Sequence, residues 1–228
     1  MANLRILHDN AANRVSSLSA STTSGSLAAA NLLTDRKAEV HRATATSVTY
    51  TATWASPELM SMVALAFTNY TSTATIRVRA YTLAADVSPA VDTGAVLACG
   101  YSPLALWPWG TVPLGVNAFS YGGGTYARAY FTPGAYEKLV IDIVDADQPA
   151  AYVEASRLIC GAYWAPEYNP AYPATARVND TTANSRSQAG DLRSDVGTVS
   201  RSLPLNLDWV KPTDRARLWN ILRGSAKS

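Results

Sequence analysis

Between residues 47 and 81 the chain alternates large apolar side chains with hydroxyls and cations. Val48, Tyr50, Ala52 and Trp54 are separated by Thr49, Thr51 and Thr53, and Ile76, Val78 and Ala80 by Arg77 and Arg79. A period of two puts successive side chains on opposite faces of a strand, so both segments predict strands with one buried face. The denser apolar run from Met60 to Phe67 predicts a central strand covered on both sides. Leu139, Ile141 and Ile143 repeat the alternation against Lys138 and Asp142, and Leu203, Leu205, Leu207 and Trp209 do so against Ser202, Pro204, Asn206 and Asp208. Pro204 has no N–H to give a ladder, which sends that last strand to an edge.

Clusters such as Asp92-Thr93-Gly94, Thr132-Pro133-Gly134 and Asp145 to Pro149 read as turns between these strands. Many short strands with no helices between them predict an all-β fold, an antiparallel β-sandwich of the jelly-roll kind. One short helix is expected near the C-terminus, with Thr213 as N-cap, Asp214 in the first turn and Gly224 as the stop. At about ten residues it is too short to persist alone, so its apolar positions Leu218, Trp219 and Leu222 are expected to dock.

The same patterning divides the chain. Residues 1–30, which include the polar run Ser16 to Ser26, read as an N-terminal arm, and residues 31–176 as the sandwich. Residues 177–228 read as a long loop, a strand and the helix, used together for docking. The loop, Arg177 to Gly197, is rich in Asn, Ser, Thr, Asp and Arg and has no periodicity. Loops of that length in a compact domain usually have a task.

Composition narrows the function. The chain has 228 residues, 48% of them hydrophobic, enough to bury a core without disulfides or metals. Only 16% are charged, and 19 basic against 17 acidic residues leave +2. That field is too weak to drive phosphate-backbone binding, which argues against nucleic acid as a partner. Four lysines leave fifteen arginines, the cation suited to interfaces. Residues 1–176 carry 10 basic and 12 acidic groups, a net −2, whereas the remainder carries 9 and 5, a net +4. No apolar stretch approaches the ~18 residues of a membrane span and no leader is readable, so synthesis in a reducing cytoplasm without membrane insertion is expected. Cys99 and Cys160 lie in apolar runs and read as buried thiols.

Candidate chemistry is sparse. His8 and His41 are the only histidines, and the cysteines are far apart, so no zinc motif exists. Asp142, Asp145 and Asp147 supply too few ligands for calcium and read as a solvated turn. No serine elbow or cysteine–histidine signature is present. Glu137, Asp142 and Glu154 are the candidates for a glycosidase pair, but their bland reading is as outward-facing acids on strands. Tyr121-Gly122-Gly123-Gly124-Thr125 lacks the Gly-Lys-Ser/Thr ending of a phosphate loop. No enzyme and no cofactor are expected. Trp107, Trp109 and Tyr121, set beside Pro or Gly, are instead candidates for contact with a protein interface or a glycan.

A resemblance is carried by Ala30 to Lys37, then Trp54, then Val63 to Arg79 and Tyr152 to Gly161, followed by the tail from Asp191 to Trp219. In texture and order they resemble tail-tip and baseplate structural proteins of long-tailed bacteriophages. The resemblance implies a virion protein at the distal end of the tail, with a sandwich similar to galactose-binding modules. Its partners would be other tail proteins, further copies of itself in a symmetric oligomer, and host glycans.

Overall fold

The computed structural model describes residues 4–71, 73–99, 125–171, 175, 177–202 and 204–225, with only the backbone at 125, 201 and 225. Trp107, Trp109 and Tyr121 lie outside the described residues. The chain divides into two compact units, one from Asp9 to Tyr163 and one combining Met1–His8 with Trp164–Ser228.

The first unit, the body, is organised by two long strands. β1 (Ser17–Ala20), β2 (His41–Arg42), β3 (Ser47–Thr68), β4 (Thr75–Tyr81), β5 (Val91–Asp92), β6 (Val96–Leu97), β7 (Thr125–Val144), β8 (Glu154–Ala155) and β9 (Arg157–Gly161) follow in order. The main sheet runs β1-β3-β7-β4-β5, with β6 on β4 and β9 on β3, and every pairing is antiparallel. The first half of β3 lies between β1 and the end of β7, and its second half between β9 and the start of β7.

Between these halves the β3–β7 register slips, at Thr53/Glu58 and again at Met60/Met62. A slip of one residue turns the buried set to the other parity. Val48, Tyr50, Ala52 and Trp54 are buried before the irregularity, and Val63 and Leu65 after it. Side chains from both halves, with Ile76 and Val78 of β4, Leu139, Ile141 and Ile143 of β7, and Leu158 and Cys160 of β9, belong to one hydrophobic cluster. The bent ribbon thus supplies two layers around a single core, and the expected all-β sandwich with one C-terminal helix is what forms.

Particular expectations change. Met60 to Phe67 is only partly covered on its second side: Val63 and Leu65 are buried, the alternating Met62, Ala64 and Ala66 are half-buried, and Phe67 at the end of the run is 44% exposed. Thr132-Pro133-Gly134 is no turn; it lies within β7, at the irregular stretch opposite Met60. There a Cβ on Gly134 would come within 2.6 Å of the Tyr136 hydroxyl, which donates to the Thr132 carbonyl at 2.8 Å. The polar N-terminal segment, read as an arm, contributes edge strand β1. It also contributes a 3₁₀ turn, Ala11–Arg14, whose Ala11 carbonyl accepts from the buried Trp54 indole at 2.8 Å. Backbone pairing needs no apolar side chains, so hydropathy is blind to such an edge strand.

In the second unit, Arg177 to Gly197 forms no loop. β10 (Arg177–Asp180) pairs with β13 (Val199–Ser202), and β11 (Ala183–Arg186) with β12 (Leu192–Asp195). Together they make a two-stranded ribbon whose tip is closed by the Gly190 N–H on the Ser187 carbonyl. Gly197 is required where the strands pass, since a Cβ there would lie 2.3 Å from the Thr181 backbone. The strand expected over Leu203 to Trp209 is absent from its described part: residues 204–210 are irregular, although the Asn206 carbonyl accepts from the Ala171 N–H. Alternation without an adjoining strand cannot make a ladder. The helix α1 runs Pro212–Ser225, with Pro212 as first helical residue, so the capping position falls on Lys211 and not on Thr213.

Candidate functional site

In the body, the singled-out titratable groups are engaged one by one. Asp142 accepts from Arg79 at 2.7 Å and from the Thr49 hydroxyl at 2.8 Å, Glu154 is paired with Arg42 at 2.9 Å, and Glu137 accepts from the Ala84 N–H at 3.0 Å. Each of these acids has its own partner. Asp145 is buried and accepts from both the N–H and the hydroxyl of Thr71, while Asp147 accepts from the Thr73 hydroxyl, so these two acids tie a turn to the connection between β3 and β4. Among the described residues no group of three or more His, Cys, Asp or Glu gathers as metal ligands would.

His41 is fully buried, and burial holds its pKa below the usual imidazole value. A carbonyl can only accept, so Nε2–H donates to the Thr22 carbonyl at 3.1 Å and Nδ1 accepts from the Tyr50 hydroxyl at 2.9 Å. Both cysteines are buried and unlinked, and burial pushes the Cys160 thiol up to about 12, which makes it an inert core group. A recess of about 340 Å³ lies between Val96–Cys99 and Arg128–Tyr130, with a mostly apolar lining among the described residues and the Arg128 guanidinium beside it.

The second unit presents its side chains differently. Ile221 is the buried residue of α1 at 6% exposure and Leu218 is half-buried, whereas Trp219 and Leu222 are 63% and 53% exposed. Of the three apolar residues expected to dock, two therefore face outward. Arg215, Trp219 and Leu222, spaced four and three apart, share that outward face.

Beside the start of the helix, Tyr168, Asp208, Trp209, Val210, Lys211 and Arg215 line a recess of about 310 Å³. Trp209 is 79% and Tyr168 51% exposed. Lys211 forms an ion pair with Glu167, which raises its pKa, and its ammonium lies 6.0 Å from the Tyr168 ring centre. The Lys211 carbonyl accepts from the Asp214 and Arg215 N–H groups at 2.9 and 3.1 Å, so the helix start and the recess share one backbone junction. The sequence assigned Trp209 to a strand face. The clue to its exposure was its place next to Lys211-Pro212, which opens a helix and ends any strand.

No protein-family model matches the chain, and no curated protein matches it in sequence. Among solved structures the chain is similar to chitosan-binding module 1 of a chitosanase/glucanase from Paenibacillus sp. IK-5, at 14% identity over 68% of this chain and 100% of that one, TM-score 0.44. It is also similar to CBM32-3 of a family 31 glycoside hydrolase from Clostridium perfringens, at 9% identity over 68% and 92%, TM-score 0.45. A third is a Clostridium perfringens CBM32 module in complex with GalNAc-beta-1,3-galactose, at 7% identity over 66% and 97%, TM-score 0.43. All three scores are low, and the architecture stands on the strand pairing itself.

Proposed function

We propose that the chain is a non-enzymatic structural subunit of a larger particle, in which the body is a rigid scaffold and the C-terminal unit grips a neighbour. The observation that carries this reading is the ribbon β10–β13, whose described strand residues are all exposed, with Val178, Leu192 and Val199 at 63–70%. A two-stranded hairpin is marginal in water, and each Å² of apolar surface left wet forgoes roughly 25 cal/mol. A neighbouring subunit supplies the missing layer, and Trp219 and Leu222 of α1 are further exposed apolar side chains of the same unit. The opposite net charges, +4 for the C-terminal quarter and −2 for the rest, favour contact between the extension of one copy and the body of the next. The sequence resemblance supports taking that particle to be a virion and the place to be the tail tip or baseplate of a long-tailed phage.

Sedimentation velocity combined with limited proteolysis tests this. The full-length chain is expected to form a symmetric oligomer in which residues 177–202 resist protease. A chain ending at residue 176 should stay monomeric and keep its β circular-dichroism signal. A full-length monomer whose ribbon is as resistant as its body would overturn the reading. A second reading, recognition of a host-surface glycan, is favoured by the exposed Tyr168 and Trp209 with Asp208 and Arg215 in the same recess.

A further inference from the structure

We propose that the recess at the start of α1 binds a neutral saccharide, with Trp209 and Tyr168 as stacking surfaces and Asp208 and Arg215 as hydrogen-bonding groups. This rests on the glycan reading above and gives it a place outside the β-body.

Tryptophan is highly buried on average, and this chain follows that rule at Trp54 and Trp164, which are 4% and 3% exposed. Trp209, at 79%, is presented on an irregular segment. An exposed indole leaves a large apolar face in water, where a flat apolar ligand surface is the natural cover. A pyranose has one: its axial C–H groups form an apolar face, and its hydroxyls form a rim that needs donors and acceptors from the side. Arg215 supplies donors only and Asp208 acceptors only, so the two side chains together satisfy both roles of a hydroxyl. The volume of about 310 Å³ lies at the small end of the roughly 300–1,000 Å³ range of ligand pockets, which suits one or two sugar rings.

Charge selects among ligands that stack. Nucleobases also stack on aromatic rings, but their phosphates require cations that are not already committed. Lys211 is bound to Glu167, and Asp208 and Arg215 line the recess with opposite charges. The recess is therefore close to neutral, and a nucleotide or an acidic sugar would gain little there. The Glu167–Lys211 pair and the Lys211 carbonyl's bonds to the first turn of α1 also fix the two segments that carry the rings and Arg215. A site held in place before binding loses less entropy when the ligand arrives.

A glycan array carrying neutral, sialylated and sulfated oligosaccharides, followed by calorimetry with the best neutral one, tests the proposal. The proteins are the full-length chain, Trp209→Ala, Asp208→Asn and the double variant Trp107→Ala with Trp109→Ala, each checked by circular dichroism. The full-length chain is expected to bind a neutral oligosaccharide. Trp209→Ala should weaken binding about tenfold or more, as loss of a stacking contact does, and Asp208→Asn should weaken it several-fold. Binding that Trp209→Ala retains and the double variant loses would sink this site while leaving the glycan reading intact. Binding confined to sialylated or sulfated glycans would overturn the neutral class, and no binding by the full-length chain would overturn site and reading together.

Discussion

The body and the ribbon of the C-terminal unit are built from the same antiparallel backbone pairing, yet they treat side chains in opposite ways. Along β3, β4 and β7 buried residues alternate with half-buried or exposed ones, and the buried ones meet a second layer across the core. Along β10 to β12 every residue is exposed, Val178 and Leu192 among them. Hydrogen bonding makes a strand in both places, but only a second layer makes a strand stable. Where the chain supplies that layer the structure is self-sufficient, and where it does not, the layer has to come from outside.

Substitutions can break that contrast, most severely in the body. Leu139→Ala or Ile141→Ala removes a side chain with no exposure and is expected to cost about 2–5 kcal/mol, read as a lowered urea midpoint at constant m-value. A cost under 1 kcal/mol would mean that the two layers are not packed against each other.

Acid should act through His41. Its folded pKa is lowered by burial, so the unfolded chain takes up the proton first, at about 6.5. His41's contribution is full above that value and is lost as the pH falls toward the folded pKa, by at most about 1.4 kcal/mol per pH unit. Urea midpoints at pH 7.5, 6.5 and 5.5 should fall in that order, and NMR titration should place the imidazole below 6.5. An imidazole titrating above 6.5 would show that the ring is charged within the fold.

The smallest effect belongs to the ribbon. Val199→Ala should shift the stability of the isolated chain by no more than about 0.5 kcal/mol, the usual range for a surface position, while lowering the oligomer fraction in sedimentation. A loss as large as that of Leu139→Ala would give the ribbon a core of its own and erase the contrast.

How much was legible follows from the same physics. The alternations at Val48–Trp54, Ile76–Ala80 and Leu139–Ile143 were readable because each reports one face of one strand. β1 and the ribbon were not, because their pairing is carried by backbone groups beneath polar side chains. Leu203 to Trp209 had the alternation but, in its described part, no strand to pair with, which is why its tryptophan faces solvent instead of a sheet. The recess was the least legible feature, since it joins Tyr168 to residues forty positions later.

Local order in the amino acids was enough to say which side chains share a face, because the two-residue and 3.6-residue periods are properties of a short stretch of backbone. It was also enough to say where α1 would start and stop to within a turn. Which of those faces would be covered, where the β3–β7 ribbon would slip and bend, and which aromatics would be left in water depended on segments distant in the chain. Burial is a property of two surfaces, and a sequence window contains only one of them.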